Sequence, residues 1–142
     1  MRLVLDSSSL NLSLGLYSDD KGIVRVVNLY DKKPQQSKLL FQAVEELLLK
    51  ENIGSEDITE LAIGIGPGSY TGLRVGMSFV KTWAFSKSIS VFSFRSDSLL
   101  EKTLQREPDT DYPKVDYLEK NDFQTVSDLS QLKPIYKNDH FA

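Results

Sequence analysis

Leu61-Ala62-Ile63-Gly64-Ile65-Gly66-Pro67-Gly68-Ser69-Tyr70-Thr71-Gly72-Leu73-Arg74-Val75-Gly76 carries more of the architecture than any other stretch of this 142-residue chain. Its first six residues form a continuous apolar run, the composition of a strand buried on both faces of a mixed or parallel sheet. Pro67 to Gly72 is a glycine-rich loop, and Leu73 to Lys87 reads as a helix. On a wheel of about 100° per residue, Val75, Phe79, Gly72, Trp83, Gly76, Val80, Leu73, Ala84 and Met77 cover more than half the circumference. Such a helix is too apolar to pack on one side only. Gly72 and Gly76, four apart, permit close approach of another backbone.

Upstream, Leu3 to Asp6 reads as a short strand, and Leu10 to Tyr17 places leucine at every second position, the pattern of a half-buried strand. Asp19 to Gly22 is a turn and Ile23 to Tyr30 a third strand, giving an antiparallel meander. Ser37 to Lys50 is helical, with Leu40, Ala43, Val44, Leu47 and Leu48 on one stripe and Ser37 placed to cap it. Downstream, Ile89 to Phe94 is a strand and Ser96 to Arg106 a short helix. The prediction is a single α/β domain with a mixed five-stranded sheet, ordered β-β-β-α-β-α-β-α. From Glu107 the pattern decays, although Phe123 to Leu132 has helical character. Residues 1–106 therefore read as the domain and 107–142 as a reduced tail.

The composition excludes several chemistries. There is no cysteine, so disulfides, thiolate metal sites and cysteine nucleophiles are ruled out. The one histidine, His140, has only Asp139 beside it and reads as a solvated tail residue. The net charge is -3; residues 1–105 carry 12 basic and 12 acidic side chains against 5 and 8 in residues 106–142. A neutral body with an acidic tail lacks the basic footprint of a nucleic-acid binder. The early carboxylate Asp6 interrupts any signal-peptide core, and no apolar run approaches membrane-spanning length, so a cytoplasmic location is expected.

The loop after the buried strand presents backbone amides at a helix N-terminus, an arrangement that favours anions. It fits neither the P-loop pattern nor the dinucleotide fingerprint, because no Gly-Lys-Ser/Thr follows and Ser69 stands at the third glycine position. Ser69, Tyr70 and Thr71 have no histidine, lysine or carboxylate nearby in sequence to activate a hydroxyl. Tight-turn glycines and a helix capped by Thr71 are the simpler reading. Asp6 reads as an Asx-type turn residue that accepts amides from Ser7 to Ser9.

As a block, Gly66 to Gly76 closely resembles the Gly-Pro-Gly-Ser-aromatic-Thr-Gly-Leu-Arg-aliphatic-Gly signature of the TsaB (YeaZ) family. Leu3-Val4-Leu5-Asp6-Ser7-Ser8 resembles that family's opening strand and turn, and Pro134-Ile135-Tyr136 its terminal element. The resemblance covers residues 1–106 and departs at Gln35-Gln36-Ser37, where many relatives have a histidine before the serine. It implies an actin-like/sugar-kinase-like (ASKHA, ribonuclease H-like) fold, with the second domain of relatives almost wholly missing.

The resemblance also implies a non-catalytic subunit that supports a TsaD-like catalytic partner in making threonylcarbamoyladenosine in tRNA, assisted by a TsaE-like ATPase. Contact with tRNA would be indirect, and the isolated chain would form a homodimer. It implies no cofactor of its own, with ATP or ADP admitted at the subunit junction; Asp6, Ser7, Gly66 and Gly68 are vestigial candidates for such a ligand. The partner-binding candidates, on two helices that in relatives pack against another subunit, are Ser37, Leu40, Val44, Leu47, Gly72, Arg74, Val75, Gly76, Met77, Phe79 and Val80. The simpler alternative is that both helices face only the sheet and each other. Two functional alternatives stand beside this reading: an ATP-dependent kinase-like or glycopeptidase-like enzyme, by fold analogy, and an independent structural homodimer.

Overall fold

The computed structural model describes residues 1–30 and 36–137, with the side chains of Gln36 and Ser37 left aside. Three strands open the chain: β1 (Arg2–Asp6), β2 (Asn11–Ser18) and β3 (Gly22–Tyr30). Helix α1 (Gln36–Lys50) leads to β4 (Glu60–Gly64), helix α2 (Tyr70–Lys87), β5 (Ser90–Phe94) and helix α3 (Ser96–Arg106). A last strand, β6 (Gln124–Val126), completes a six-stranded sheet in the order β3-β2-β1-β4-β5-β6. The meander β1-β2-β3 is antiparallel and β1, β4 and β5 are parallel, joined by crossovers through α1 and α2. This is the ribonuclease H-like arrangement, and the expected order of elements holds through α3.

Strand alternation sorts the core into two layers. Leu3, Leu5, Leu12, Leu14, Leu16, Leu61, Ile63 and Val91 point to the face covered by α1 and α2. Val4, Tyr17, Ala62 and Phe94 point to the other, under Leu99 of α3 and under Val115 and Leu118. Full burial of each such aliphatic side chain is worth about 1.5–3 kcal/mol. On this second face Arg2 is 5% exposed yet charged. Its guanidinium pairs with Glu60 at 3.1 Å and lies 3.8 Å from the Phe92 ring centroid, with Tyr17 and Phe123 also in contact. Ion pair and ring faces together offset the desolvation of that charge.

The sheet gains a sixth strand where a helix over Phe123 to Leu132 was expected. Phe123 packs into the second layer against Tyr17, Phe92 and Phe94, whereas Val126 packs into the first. Residues three apart lie on one side of a helix but on opposite faces of a strand, so satisfying both layers requires extended backbone. The segment pairs antiparallel with β5, Val91 opposite Val126, and only Leu129–Gln131 makes a single 3-10 turn.

Candidate partner-binding site

Asp6 ends β1 fully buried. Its Oδ1 accepts the Ser8 amide at 2.9 Å and the Ser8 hydroxyl at 2.5 Å, so the Asx-type turn forms, through Ser8 alone. Oδ2 meets no hydrogen-bonding partner among the described residues; the Ser96 hydroxyl is close by but outside bonding geometry. Burial pushes the Asp6 carboxyl up from its ordinary value, while Ser8 and Ser96 pull the other way.

The glycine loop wraps over this turn. Gly66 takes a positive φ of 101°, and a Cβ there would overlap the Ile135 carbonyl. Its amide donates to Ser96 Oγ at 2.9 Å, that of Gly68 to the Ile135 carbonyl at 3.2 Å, and that of Ser69 to the Ser8 carbonyl at 2.8 Å. Ser69, not Thr71, caps α2: its hydroxyl accepts the Gly72 amide at 3.2 Å, because the helix begins at Tyr70 and Thr71 already lies in its first turn. Asp6, Ser7, Gly66 and Gly68 are thus brought together, but the amides of Gly66, Gly68, Ser69 and Gly72 are all spent inside the chain. The loop offers no ready phosphate cradle at those four groups.

The predicted two-helix face divides in two. Gly72, Gly76, Met77 and Val80 are buried toward the chain's own sheet, and a Cβ on Gly76 would overlap Ser7 Oγ and lie 2.9 Å from Ile63 Cδ1. The glycine pair therefore notches the helix inward, for its own β1 and β4, and not outward. Val44 and Leu47 are also core residues, as is Leu40, which lines the groove from beneath. Helix α1 starts at Gln36, so the Ser37 backbone lies in its first turn rather than ahead of it; the Ser37 side chain lies outside the described residues, as does His140.

The outward part is a groove of about 520 Å³ between α1 and α2, floored by Leu40, Val75 and Phe79 and edged by Phe41, Arg74 and Trp83. An aromatic row runs along it: Phe41 meets Phe79 edge-on at 5.4 Å, and Phe79 meets Trp83 at 5.6 Å. Phe41 is 63% exposed; Phe85, two residues after Trp83 and outside the groove, is 83% exposed. Arg74, Val75 and Phe79 are the predicted residues that reach this surface. Phe41 and Trp83 were missed, although an aromatic just off the buried stripe of α1 was a usable signal. Trp83 Nε1 is buried without a hydrogen-bond partner among the described residues.

A family profile described as TsaD, tRNA N6-adenosine threonylcarbamoyltransferase, matches residues 32–115. The tRNA threonylcarbamoyladenosine biosynthesis protein TsaB of Bacillus subtilis is 32% identical over 94 residues, 66% of this chain and 40% of that protein. TsaB of Haemophilus influenzae is 30% identical over 90 residues, 63% of this chain and 36% of its own length. The chain thus spans less than half the length of these relatives. YeaZ from Pseudomonas aeruginosa has the same fold, with a TM-score of 0.65 at 21% identity, over 89% of this chain and 64% of that one. The profile accounts for more than half of the residues and the curated relatives all bear one name; the chain belongs to the TsaB/YeaZ family.

Proposed function

We propose that this chain is a non-catalytic subunit of the assembly that makes threonylcarbamoyladenosine in tRNA, and that it docks a TsaD-like catalytic subunit in the α1–α2 groove. The observation that carries this reading is the aromatic row Phe41-Phe79-Trp83 along an open groove, with Phe41 exposed and Phe79 and Trp83 half-buried, while Leu40, Val44, Leu47, Met77 and Val80 of the same helices are buried in the core. Exposed apolar surface of this kind marks an interaction site. The internal consumption of the loop amides and the buried, Ser8-bonded Asp6 support the non-catalytic part.

In this reading a TsaE-like ATPase assists the assembly, tRNA is held by other subunits, and the work is done in the cytoplasm. No helix among the described residues is long and apolar enough to cross a membrane. ATP or ADP at the subunit junction would draw its phosphate ligands mainly from the partner. Without a partner, a second copy covers the same groove as a homodimer.

The test is reconstitution: the chain alone shows no turnover, and mixing it with TsaD-like and TsaE-like proteins restores tRNA modification. Failure to bind the TsaD-like protein removes the reading. Nucleotide or peptide turnover by the isolated chain, lost in Asp6→Asn, would favour the kinase-like or hydrolase-like alternative. Self-association that persists against excess partner would favour the structural homodimer.

A further inference from the structure

Three side chains from opposite ends of the fold form a row at the mouth of the groove. Tyr136 is placed by backbone pairing: the Ile135 amide donates to the Ile65 carbonyl at 2.7 Å, the Gly68 amide to the Ile135 carbonyl at 3.2 Å, and the Lys137 amide to the Gly68 carbonyl at 3.2 Å. Leu132, 4% exposed, anchors the segment before it. The Tyr136 ring lies 4.8 Å from that of Tyr70, tilted by 37°. Arg74, one turn along α2, donates from Nη1 to the Tyr70 hydroxyl at 2.6 Å, its guanidinium carbon 5.0 Å from the Tyr70 ring centroid.

Arg74 is exposed, and no carboxylate among the described residues pairs with it. A free arginine keeps about 2 kcal/mol of rotamer entropy. Here stacking and a hydrogen bond hold it at one edge of an apolar groove. The arrangement is a donor fork fixed before its acceptor arrives, and carboxylate geometry matches that fork. Because apolar contacts in the groove carry little directional information, the charged edge fixes the register of what docks there.

We propose that Tyr136, acting through Tyr70, is a positioning residue that holds the Arg74 guanidinium at the rim of the α1–α2 groove to receive a carboxylate of the docking subunit. This rests on the reading of the groove as the TsaD-like docking site. The terminal segment thereby becomes part of the recognition surface without itself lining it.

The experiment is calorimetric titration of the full chain with the TsaD-like subunit at two salt concentrations, with and without ADP. The variants are Arg74→Ala, Tyr136→Leu, Tyr136→Phe, Tyr70→Phe and the double Arg74→Ala/Tyr136→Leu. Arg74→Ala is expected to weaken binding about tenfold. Tyr136→Leu and Tyr70→Phe should each weaken it about threefold, the scale of an exposed cation–π or hydrogen-bonded contact. Tyr136→Phe, which keeps the ring stack, should stay within about twofold, and the double variant should be no weaker than Arg74→Ala.

Arg74→Ala and Tyr136→Leu should also flatten the salt dependence alike, which a purely structural loss would not do. Tyr70→Phe retains both rings and so tests the relay even if Tyr136→Leu folds poorly. Additive losses in the double variant, or wild-type binding by Tyr136→Leu, overturn the proposal while leaving the docking reading intact. An Arg74 effect that appears only with ADP assigns the guanidinium to a phosphate and overturns the carboxylate assignment. No binding by the wild-type chain removes the docking reading and this proposal with it.

Discussion

The hydroxyl of Ser7 occupies the space that a side chain at Gly76 would need, and from there it donates to the Gly72 carbonyl at 2.7 Å. Gly76→Ala forces Ser7 to turn away and lose that bond and already sets a Cβ 2.9 Å from Ile63 Cδ1 and 3.3 Å from Leu5 Cδ1, and the larger side chain of Gly76→Leu adds to that crowding. Gly76→Leu is expected to destabilise the monomer by at least about 2 kcal/mol. Ser7→Gly should recover much of the Gly76→Ala loss. Urea melts of the two single variants and the double check this; additive losses would refute the contact.

Asp6 sets a pH term of unusual sign for a carboxylate. Burial raises its folded pKa above the unfolded value, so the native state holds the proton more tightly. The associated stability is fully present below the unfolded pKa and is lost as pH rises through the folded one. Asp97 and Asp128 are shifted the other way, Asp97 chiefly by the Arg95 hydrogen bond and Asp128 by that of Ser130, and oppose it at low pH. Comparing the wild type with Asp6→Asn isolates the term. The advantage of Asp6→Asn should grow between pH 4 and pH 7 in thermal melts, and a constant difference would count against it.

Ser69 caps the N-terminus of α2 through the Gly72 amide, while its backbone also meets Ser8 and Leu73. Ser69→Ala removes the hydroxyl and leaves the backbone contacts. A loss of about 1 kcal/mol is expected by denaturant titration. Thr71→Ala, on the exposed side of the first turn, should stay within about 0.5 kcal/mol.

Truncating the aromatic row should separate binding from stability. Phe41, 63% exposed, gives up little burial within the monomer, so Phe41→Ala should change stability by about 0.5 kcal/mol or less. It should weaken docking of the TsaD-like subunit by about tenfold or more, as an aromatic anchor does. Unchanged affinity would place the interface elsewhere.

The sequence made the order of strands and helices legible because alternating leucines in β2 and the apolar run of β4 are local patterns with a fixed period. What it could not convey was direction. The wheel of α2 was apolar over more than half its circumference, but which half meets the sheet depends on Ser7, in the turn after β1, and on Ile63 of β4, both remote in sequence. The glycine pair was accordingly read outward. The same limitation hid β6, since Phe123 and Val126 declare their faces only once the sheet exists. Arg74 was identified as a site residue, whereas its dependence on Tyr136 arises from a backbone bridge across 68 positions, Gly68 to Tyr136.

Trp83 is the only tryptophan in the chain, and it stands in the groove with its indole N–H unpartnered among the described residues. Its emission is therefore a built-in optical reporter located at the docking surface. Occupation of the groove should shift that emission to the blue without any label. Every variant discussed above can be titrated by this light alone.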